Sequence, residues 1–391
     1  MAAKVKYVLS IDGGGIRGLI PAMVLEEVEK RVTDKVKTKA QETLPKDGLI
    51  RIADLFDFVA GTSTGSILAL GLTVNDEKTS RPKYEAKDLR ELYETRGEEI
   101  FDKTLATKIF SIVGKYGDLL LNGAAKYNNE NLIKILDEHF GEAKLNSDIV
   151  NNIKVLVPSY DITINERHYF KNYGSTKNSV KLKDAVQASS AAPSYFRAKK
   201  LDDDFYVDGG VFMNNPALRA YTDSVMLFKG SKIVVCSLGT GFYKEATIAW
   251  LENAGTLKVA EPIVALFMHQ QTASTDYNMI DQQKISDGKL TYHRFQEKFE
   301  KDIGLDSTDS GADLKSAAKR IIGDEGYMDN GKTVTREWLE KRANYLNIDI
   351  NSDLSDKEID ELIKAKRKET FNKFVEELSD NYISKFPNTK L

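Results

Sequence analysis

Phe58-Val59-Ala60-Gly61-Thr62-Ser63-Thr64-Gly65-Ser66-Ile67-Leu68-Ala69-Leu70 decides how the rest of the chain is read. A short apolar run breaks into Gly-x-Ser-x-Gly and resumes as an apolar helix. That is the pattern of a strand-to-helix turn that holds a serine in a strained backbone with its hydroxyl exposed. Gly61 and Gly65, two before and two after the serine, remove the side chains that would collide in so tight a turn. Ser63 is therefore the candidate nucleophile. In a chain with 26 glycines the bare motif is weak, and its weight comes from what flanks it.

Toward the N-terminus, Val5-Lys6-Tyr7-Val8-Leu9-Ser10-Ile11 is a β-rich run, followed by Asp12-Gly13-Gly14-Gly15-Ile16-Arg17-Gly18 and a helical pattern from Leu19 to about Val36. Gly13, Gly15 and Gly18 match the spacing that seats a dinucleotide pyrophosphate on a helix N-terminus. That use requires the next strand to end in an acidic residue for the ribose, and here it ends in the Ser63 turn. The same geometry serves an oxyanion hole: backbone N–H groups, unobstructed by side chains, facing the charge that develops on an acyl carbonyl oxygen. One such donor is typically worth about 2.7–4 kcal/mol of barrier. Arg17 is expected to hold this loop or to meet a phosphate group.

Just before the strand that leads to Ser63, Arg51-Ile52-Ala53-Asp54-Leu55-Phe56 is expected to end a helix that feeds it. Residues 103–122 mix apolar side chains with lysines and read as a cap packed over the core, a lid or a membrane-touching surface. Lys154–Asp161 reads as a central strand, residues 166–172 as its partner, and residues 183–190 as a short helix entering the small-residue stretch Ala191-Ala192-Pro193-Ser194-Tyr195-Phe196. Phe205-Tyr206-Val207-Asp208-Gly209-Gly210-Val211 ends a strand with a carboxylate and two glycines, which puts Asp208 where strand-end catalytic residues sit. Residues 233–238 and Leu290–Phe295 are further strands; residues 261–280 and 311–322 are helical.

Apolar strand runs alternating with helices predict an α/β fold of three layers, a central mostly parallel sheet flanked by helices. From Thr335 the texture changes. Ser355-x-x-Glu358 is a capping box, and Ile359, Leu362, Phe371, Phe374, Val375, Leu378 and Tyr382 recur mostly at helical spacing. The expected organisation is a catalytic domain over residues 1–330 and a C-terminal helical extension, residues 331–391, packed on the same domain.

Composition narrows the function classes. A chain of 391 residues with 41% hydrophobic content can bury a substantial core. Its 56 basic and 59 acidic residues, net −3, give no electrostatic case for a nucleic-acid polymer. One cysteine, Cys236, and four histidines leave no disulfide framework and little for a metal centre, so neither metal nor cofactor is expected. Cys236 lies in an apolar strand and reads as a small core residue. No apolar run approaches a membrane span. No apolar leader precedes the first strand, so a cytoplasmic protein with peripheral membrane contact is expected.

The glycine loop, the serine turn and the Asp-Gly-Gly strand end, in that order, resemble the patatin-like phospholipases. The likeness continues through Ala191-Ala192-Pro193, Asn214-Asn215-Pro216-Ala217, Ser237-Leu238-Gly239-Thr240-Gly241 and Tyr292-His293-Arg294-Phe295-Gln296, over about the first 330 residues. One departure is Ser66, where that family often has glycine. The resemblance implies a Ser–Asp dyad with Ser63 as nucleophile and Asp208 as general base. It also implies the amides of Gly13, Gly14 and Gly15 as oxyanion donors, with Arg17, Gly61, Gly65, Gly209 and Gly210 in support. The implied activity is that of a lipid acyl hydrolase of phospholipase A or lysophospholipase type, acting without metal on a phospholipid or other acyl lipid at a membrane surface.

A free aspartate, with a pKa of about 3.9, is a poor base at neutral pH. Asp208 is therefore expected to be raised by burial or to act on the serine proton as it develops in the transition state. A Ser–His–Asp arrangement would need His269 or His293, which fall in a helix and a strand rather than at a glycine-marked turn. Two alternatives stand beside the hydrolase. One is an effector phospholipase of antiviral signalling, switched on by a cyclic nucleotide through the unassigned region after Trp250. The other is a non-catalytic dinucleotide-binding or scaffold protein. A homo-oligomer is compatible with each.

Overall fold

The computed structural model describes residues 4–100, 129–150, 152–174, 179–193, 195–243, 260–299, 301, 303–329, 332 and 334–387. The stretch 103–122, read above as cap or lid, lies outside them, as does the region that begins at Trp250, up to residue 259.

Eight strands form one sheet: β1 (Val5–Ile11), β2 (Phe58–Gly61), β3 (Lys154–Asp161), β4 (Glu166–Lys171), β5 (Lys199–Leu201), β6 (Asp204–Asp208), β7 (Lys232–Leu238) and β8 (Leu290–Phe295). The spatial order is β5-β6-β3-β2-β1-β7-β8, with β4 pairing β3. The centre, β3-β2-β1-β7-β8, is parallel throughout, while β4, β5 and β6 pair antiparallel. The helices are α1 (Leu19–Ala40), α2 (Ile52–Leu55), α3 (Thr64–Gly71), α4 (Ala86–Ile100), α5 (Glu130–Phe140), α6 (Leu182–Ser190), α7 (Ala217–Leu227), α8 (Ala260–Ile285), α9 (Gly311–Ile321), α10 (Arg336–Tyr345) and α11 (Asp356–Lys385). The stretch expected to end a longer helix at Phe56 is instead the single turn α2.

Both faces of the central strands are covered, which is why they read as continuous apolar runs rather than as alternation. On β1, Tyr7, Leu9 and Ile11 join the core shared with α1, α3, α4 and α9, while Val8 faces the other way, into a cluster with Ala217 and Ala220 of α7 and Met279 of α8. Cys236 of β7 is buried in the first of these cores. The expected α/β three-layer fold is what the chain adopts. The capping box forms: Ser355 Oγ accepts from the Glu358 N–H at 3.4 Å, and the Ser355 N–H donates to Glu358 Oε2 at 2.8 Å. Beyond it, Ile359 and Ile363 of α11 pack with Leu339 and Ala343 of α10, whereas Phe371, Phe374, Val375, Leu378 and Tyr382 enter the main core.

The site is placed by an interruption along one edge of β3. β2 pairs parallel with residues Lys154 to Leu156 of β3, and β6 pairs antiparallel with Ser159 to Asp161. β4 occupies the opposite edge from Leu156 onward. β2 and β6 therefore lie on the same side of β3, run toward each other and stop short of meeting. The gap falls at Pro158, which has no N–H to leave unpaired; its carbonyl accepts the Ser189 hydroxyl at 2.6 Å. The turn after β2 carries Ser63 and the last residue of β6 is Asp208, so head-on strands bring together residues far apart in sequence. Asp208 was expected at the carboxyl end of a strand in the parallel sheet. It does end its strand, but that strand arrives antiparallel, from the opposite direction.

Candidate active site

Ser63 sits between β2 and α3 at φ 54°, ψ −124°, a conformation costly for any residue with a side chain. Neighbours fix it there. Its N–H donates to Ser189 Oγ at 2.9 Å, and its carbonyl accepts the Ser66 hydroxyl at 2.6 Å. The departure noted at position 66 therefore has a local role, a side-chain bond closing the first turn of α3. Gly61 and Gly65 are required by close approach: a Cβ on Gly61 would strike the Gly65 carbonyl, and one on Gly65 the Ile11 carbonyl. Holding Ser63 in this region costs of order 1–3 kcal/mol. Ser63→Gly is accordingly expected to be more stable than Ser63→Ala by about 1 kcal/mol, after the larger chain entropy that glycine loses on folding; urea unfolding of the two variants measures it.

Asp208 is 2% exposed. Its Oδ1 accepts the Gly210 N–H at 2.7 Å, which gives the second glycine of Asp-Gly-Gly its place, and its own N–H donates to the Ala191 carbonyl at 3.0 Å. Gly209 packs against Pro158, with no room for a Cβ. Oδ2 is buried with no hydrogen-bond partner among the described residues. Burial pushes the carboxyl up to about 7; the Ser63 hydroxyl beside it and the Gly210 amide pull the other way. Ser63 and Asp208 line one cleft, open to solvent, whose walls are largely apolar: Ile67, Ile100, Leu132, Phe196, Met268 and Leu305.

The glycine loop follows β1 into the same region. Gly15 lines the cleft at φ +58°, where a Cβ would run into the Leu305 carbonyl. The Gly13 N–H, expected to face an oxyanion, already donates to the Asn214 carbonyl at 3.1 Å. The position is corrected accordingly: Gly13 anchors the loop, and the Gly14 and Gly15 N–H groups are the ones that donate to no acceptor among the described residues. The Thr64 N–H, at the start of α3, is in the same state. Arg17 reaches back to the loop, its Nε donating to the Gly14 carbonyl at 3.3 Å and its Nη1 to the Ile303 carbonyl at 3.5 Å.

Other residues that shape the site carried no assigned role in the sequence. Asp12 is 1% exposed and paired through both oxygens with Arg294, at 3.1 and 2.5 Å, which pins the end of β1 to β8 across Ser237. Burial raises the Asp12 carboxyl to about 6, against the pull of that guanidinium. Thr62 Oγ1 donates to the Met213 carbonyl at 2.8 Å, and Gln271 Nε2 to the Val211 carbonyl at 2.6 Å. These tie the loop after β6 to the serine turn and to α8. The only signal for them was their place within short polar motifs. Neither histidine considered for a triad lines the cleft: His293 stands on β8 against Phe374 of α11, and His269 on α8 beside Phe242.

The family model for patatin-like phospholipases matches residues 9–221. Patatin-like protein 2 of Arabidopsis thaliana is 29% identical over 323 residues, covering 74% of this chain and 75% of that protein. Patatin-T5 of Solanum tuberosum is 29% identical over 319 residues, with 74% and 75% coverage. Patatin-like protein 2 of Oryza sativa subsp. indica reaches 36% over 231 residues, covering 56% of this chain and 52% of its own length. The chain thus matches between about half and three quarters of the length of these relatives. The span 9–221 contains the glycine loop, the serine turn and the Asp208 strand end, and the chain belongs to the patatin-like phospholipase family.

Proposed function

We propose that the protein hydrolyses carboxylic esters of lipids. The observation that carries this reading is the head-on approach of β2 and β6, which sets the Ser63 hydroxyl beside a buried carboxyl in an apolar cleft. Ser63 Oγ attacks the ester carbonyl while Asp208 takes its proton. The carbonyl oxygen becomes an oxyanion, held by the amides of Gly14 and Gly15. Collapse expels the alcohol, which receives the proton back from Asp208, and leaves an acyl-serine. Water, deprotonated by the same carboxylate, then releases the fatty acid and restores the hydroxyl. The apolar walls suit an acyl chain, and an ester leaving group suits a base weaker than histidine. The substrate is taken to be a phospholipid or related acyl lipid presented at a membrane surface.

The test is lipid product analysis on mixed liposomes, with Ser63→Ala as the blank. Free fatty acid released only by the native chain supports the reading, and equal release by both ends it. The pH dependence gives a second expected outcome. Asp208 must be ionised to accept a proton, and its folded pKa is raised to about 7. kcat/KM should therefore climb with pH through about 7 and be lost as pH falls through it. A profile flat down to about pH 4, where an ordinary aspartate titrates, removes Asp208 as the base.

A further inference from the structure

We infer that Thr240 is a positioning residue for the oxyanion hole, acting through the peptide group it holds; this rests on the ester-hydrolase reading above. The Gly13 carbonyl accepts from Thr240 Oγ1 at 2.7 Å and, more weakly, from Asn214 Nδ2 at 3.3 Å. No peptide bond in the described chain is cis. In a trans peptide the carbonyl and the following N–H point in opposite directions. Fixing the Gly13 oxygen therefore fixes the direction of the Gly14 N–H, which has no acceptor among the described residues. The next peptide is held in the same way, its Gly14 carbonyl taking the Arg17 N–H at 3.1 Å and Arg17 Nε at 3.3 Å, which aims the Gly15 N–H.

Thr240 is well placed for this work and for no other part of the reaction. It is 2% exposed and does not line the cleft. It follows β7, the strand paired with β1 along its whole length, so the donor rides on the same rigid frame as the glycine loop. Its side chain lies so close to the Gly14 Cα that a Cβ there would overlap Thr240 Oγ1. Thr240 thus sets the loop with one side chain, by a hydrogen bond to the Gly13 carbonyl and by close contact at Gly14. Asn214 closes the clamp: its backbone carbonyl takes the Gly13 N–H at 3.1 Å, and its Nδ2 also donates to Thr272 Oγ1 at 3.0 Å. Loss of the threonine hydroxyl leaves the Gly13 oxygen with the longer bond alone and frees the peptide to rotate. Preorganised amides matter most in the transition state, where the oxygen carries charge, so the effect belongs in kcat rather than KM.

The experiment compares Thr240→Val, which keeps the shape and removes the donor, with Thr240→Ser, which keeps the donor. Turnover of a soluble short-chain ester is normalised to reactive serine by exhaustive fluorophosphonate labelling, so that unfolded protein drops out of the count. Removing one oxyanion donor outright costs about 100- to 1,000-fold in kcat, and misaiming one costs less, so Thr240→Val is expected to lose about 10- to 100-fold with KM within about threefold. Thr240→Ser should stay within about threefold of the native kcat. The inflection of the pH profile set by Asp208 should not move in either variant. Native kcat in Thr240→Val, a loss of equal size in Thr240→Ser, or a rise in KM that accounts for the whole effect overturns the inference. Ser63→Ala run in parallel separates the two levels: if it is inactive while Thr240→Val is native, only the positioning role fails, whereas an active Ser63→Ala sinks the hydrolase reading itself.

Discussion

Ser63→Ala should lower kcat by about 10⁴-fold or more, and Asp208→Asn by about 10²- to 10⁴-fold, with both variants folded. Alanine occupies the backbone conformation of Ser63 as well as serine does, and the bonds that hold the turn run from the Ser63 N–H and carbonyl, which the substitution leaves in place. Asparagine at 208 retains an oxygen for the Gly210 N–H and loses only the ability to take a proton. The two losses should not multiply, because a serine without its base and a base without its serine disable one unit. What survives in Asp208→Asn should be independent of pH around 7, since the group that titrates there is gone. Single-turnover kinetics with a chromogenic ester measure all three. A double variant far slower than Ser63→Ala, or residual Asp208→Asn activity that still follows an inflection near 7, would mean that another group does the acid–base work.

Chemistry was more legible in the sequence than geometry. A serine that needs a glycine on either side, and a loop that needs three in a row, announce themselves because only glycine tolerates the close approach and the backbone angle. That was enough to single out Ser63, Asp208 and the loop as candidates, and apolar runs were enough for the α/β layers. The meeting of Ser63 with Asp208 was not written locally. It depends on β6 arriving antiparallel against the half of β3 that β2 leaves uncovered, a long-range pairing for which Phe205 to Asp208 carries no signal. The state of the Gly13 amide was equally hidden, since three adjacent glycines look alike until Asn214, some 200 residues later, takes one of them. The clamps at Ser189, Asn214 and Thr240 share this difficulty. Small polar residues are common, and what distinguishes these is which carbonyl or amide lies opposite, a property of the assembled layers.

The same holds for the C-terminal helix, and here the consequence is a large expected loss of stability. The stripe of α11 predicts an apolar docking face, yet Arg367 sits on the inward side, 6% exposed. Its Nη1 donates to Glu297 Oε2 at 2.6 Å and its Nη2 to the Tyr327 hydroxyl at 2.9 Å, while Arg320 Nε of α9 reaches Glu297 Oε1 at 3.3 Å. Glu297 lies two residues past β8 and is fully buried, so one carboxylate is shared by two guanidinium groups that water does not reach, and Glu325, 4.0 Å from Arg320 Nη1, is the second carboxylate that balances them. Removing one partner of such a buried pair costs about 3–5 kcal/mol, because the charge left behind has neither water nor a counter-ion. Glu297→Ala should therefore cost at least that much, whereas Arg367→Leu should cost less, since Glu297 keeps Arg320 and the leucine adds apolar contact. Screening is weak for groups this deep, so both losses should persist in high salt. Urea unfolding at low and high salt supplies the measurement. A Glu297→Ala chain that unfolds within about 1 kcal/mol of the native one, as exposed ion pairs do when broken, would show that α11 holds on through Phe371, Phe374 and Leu378 alone.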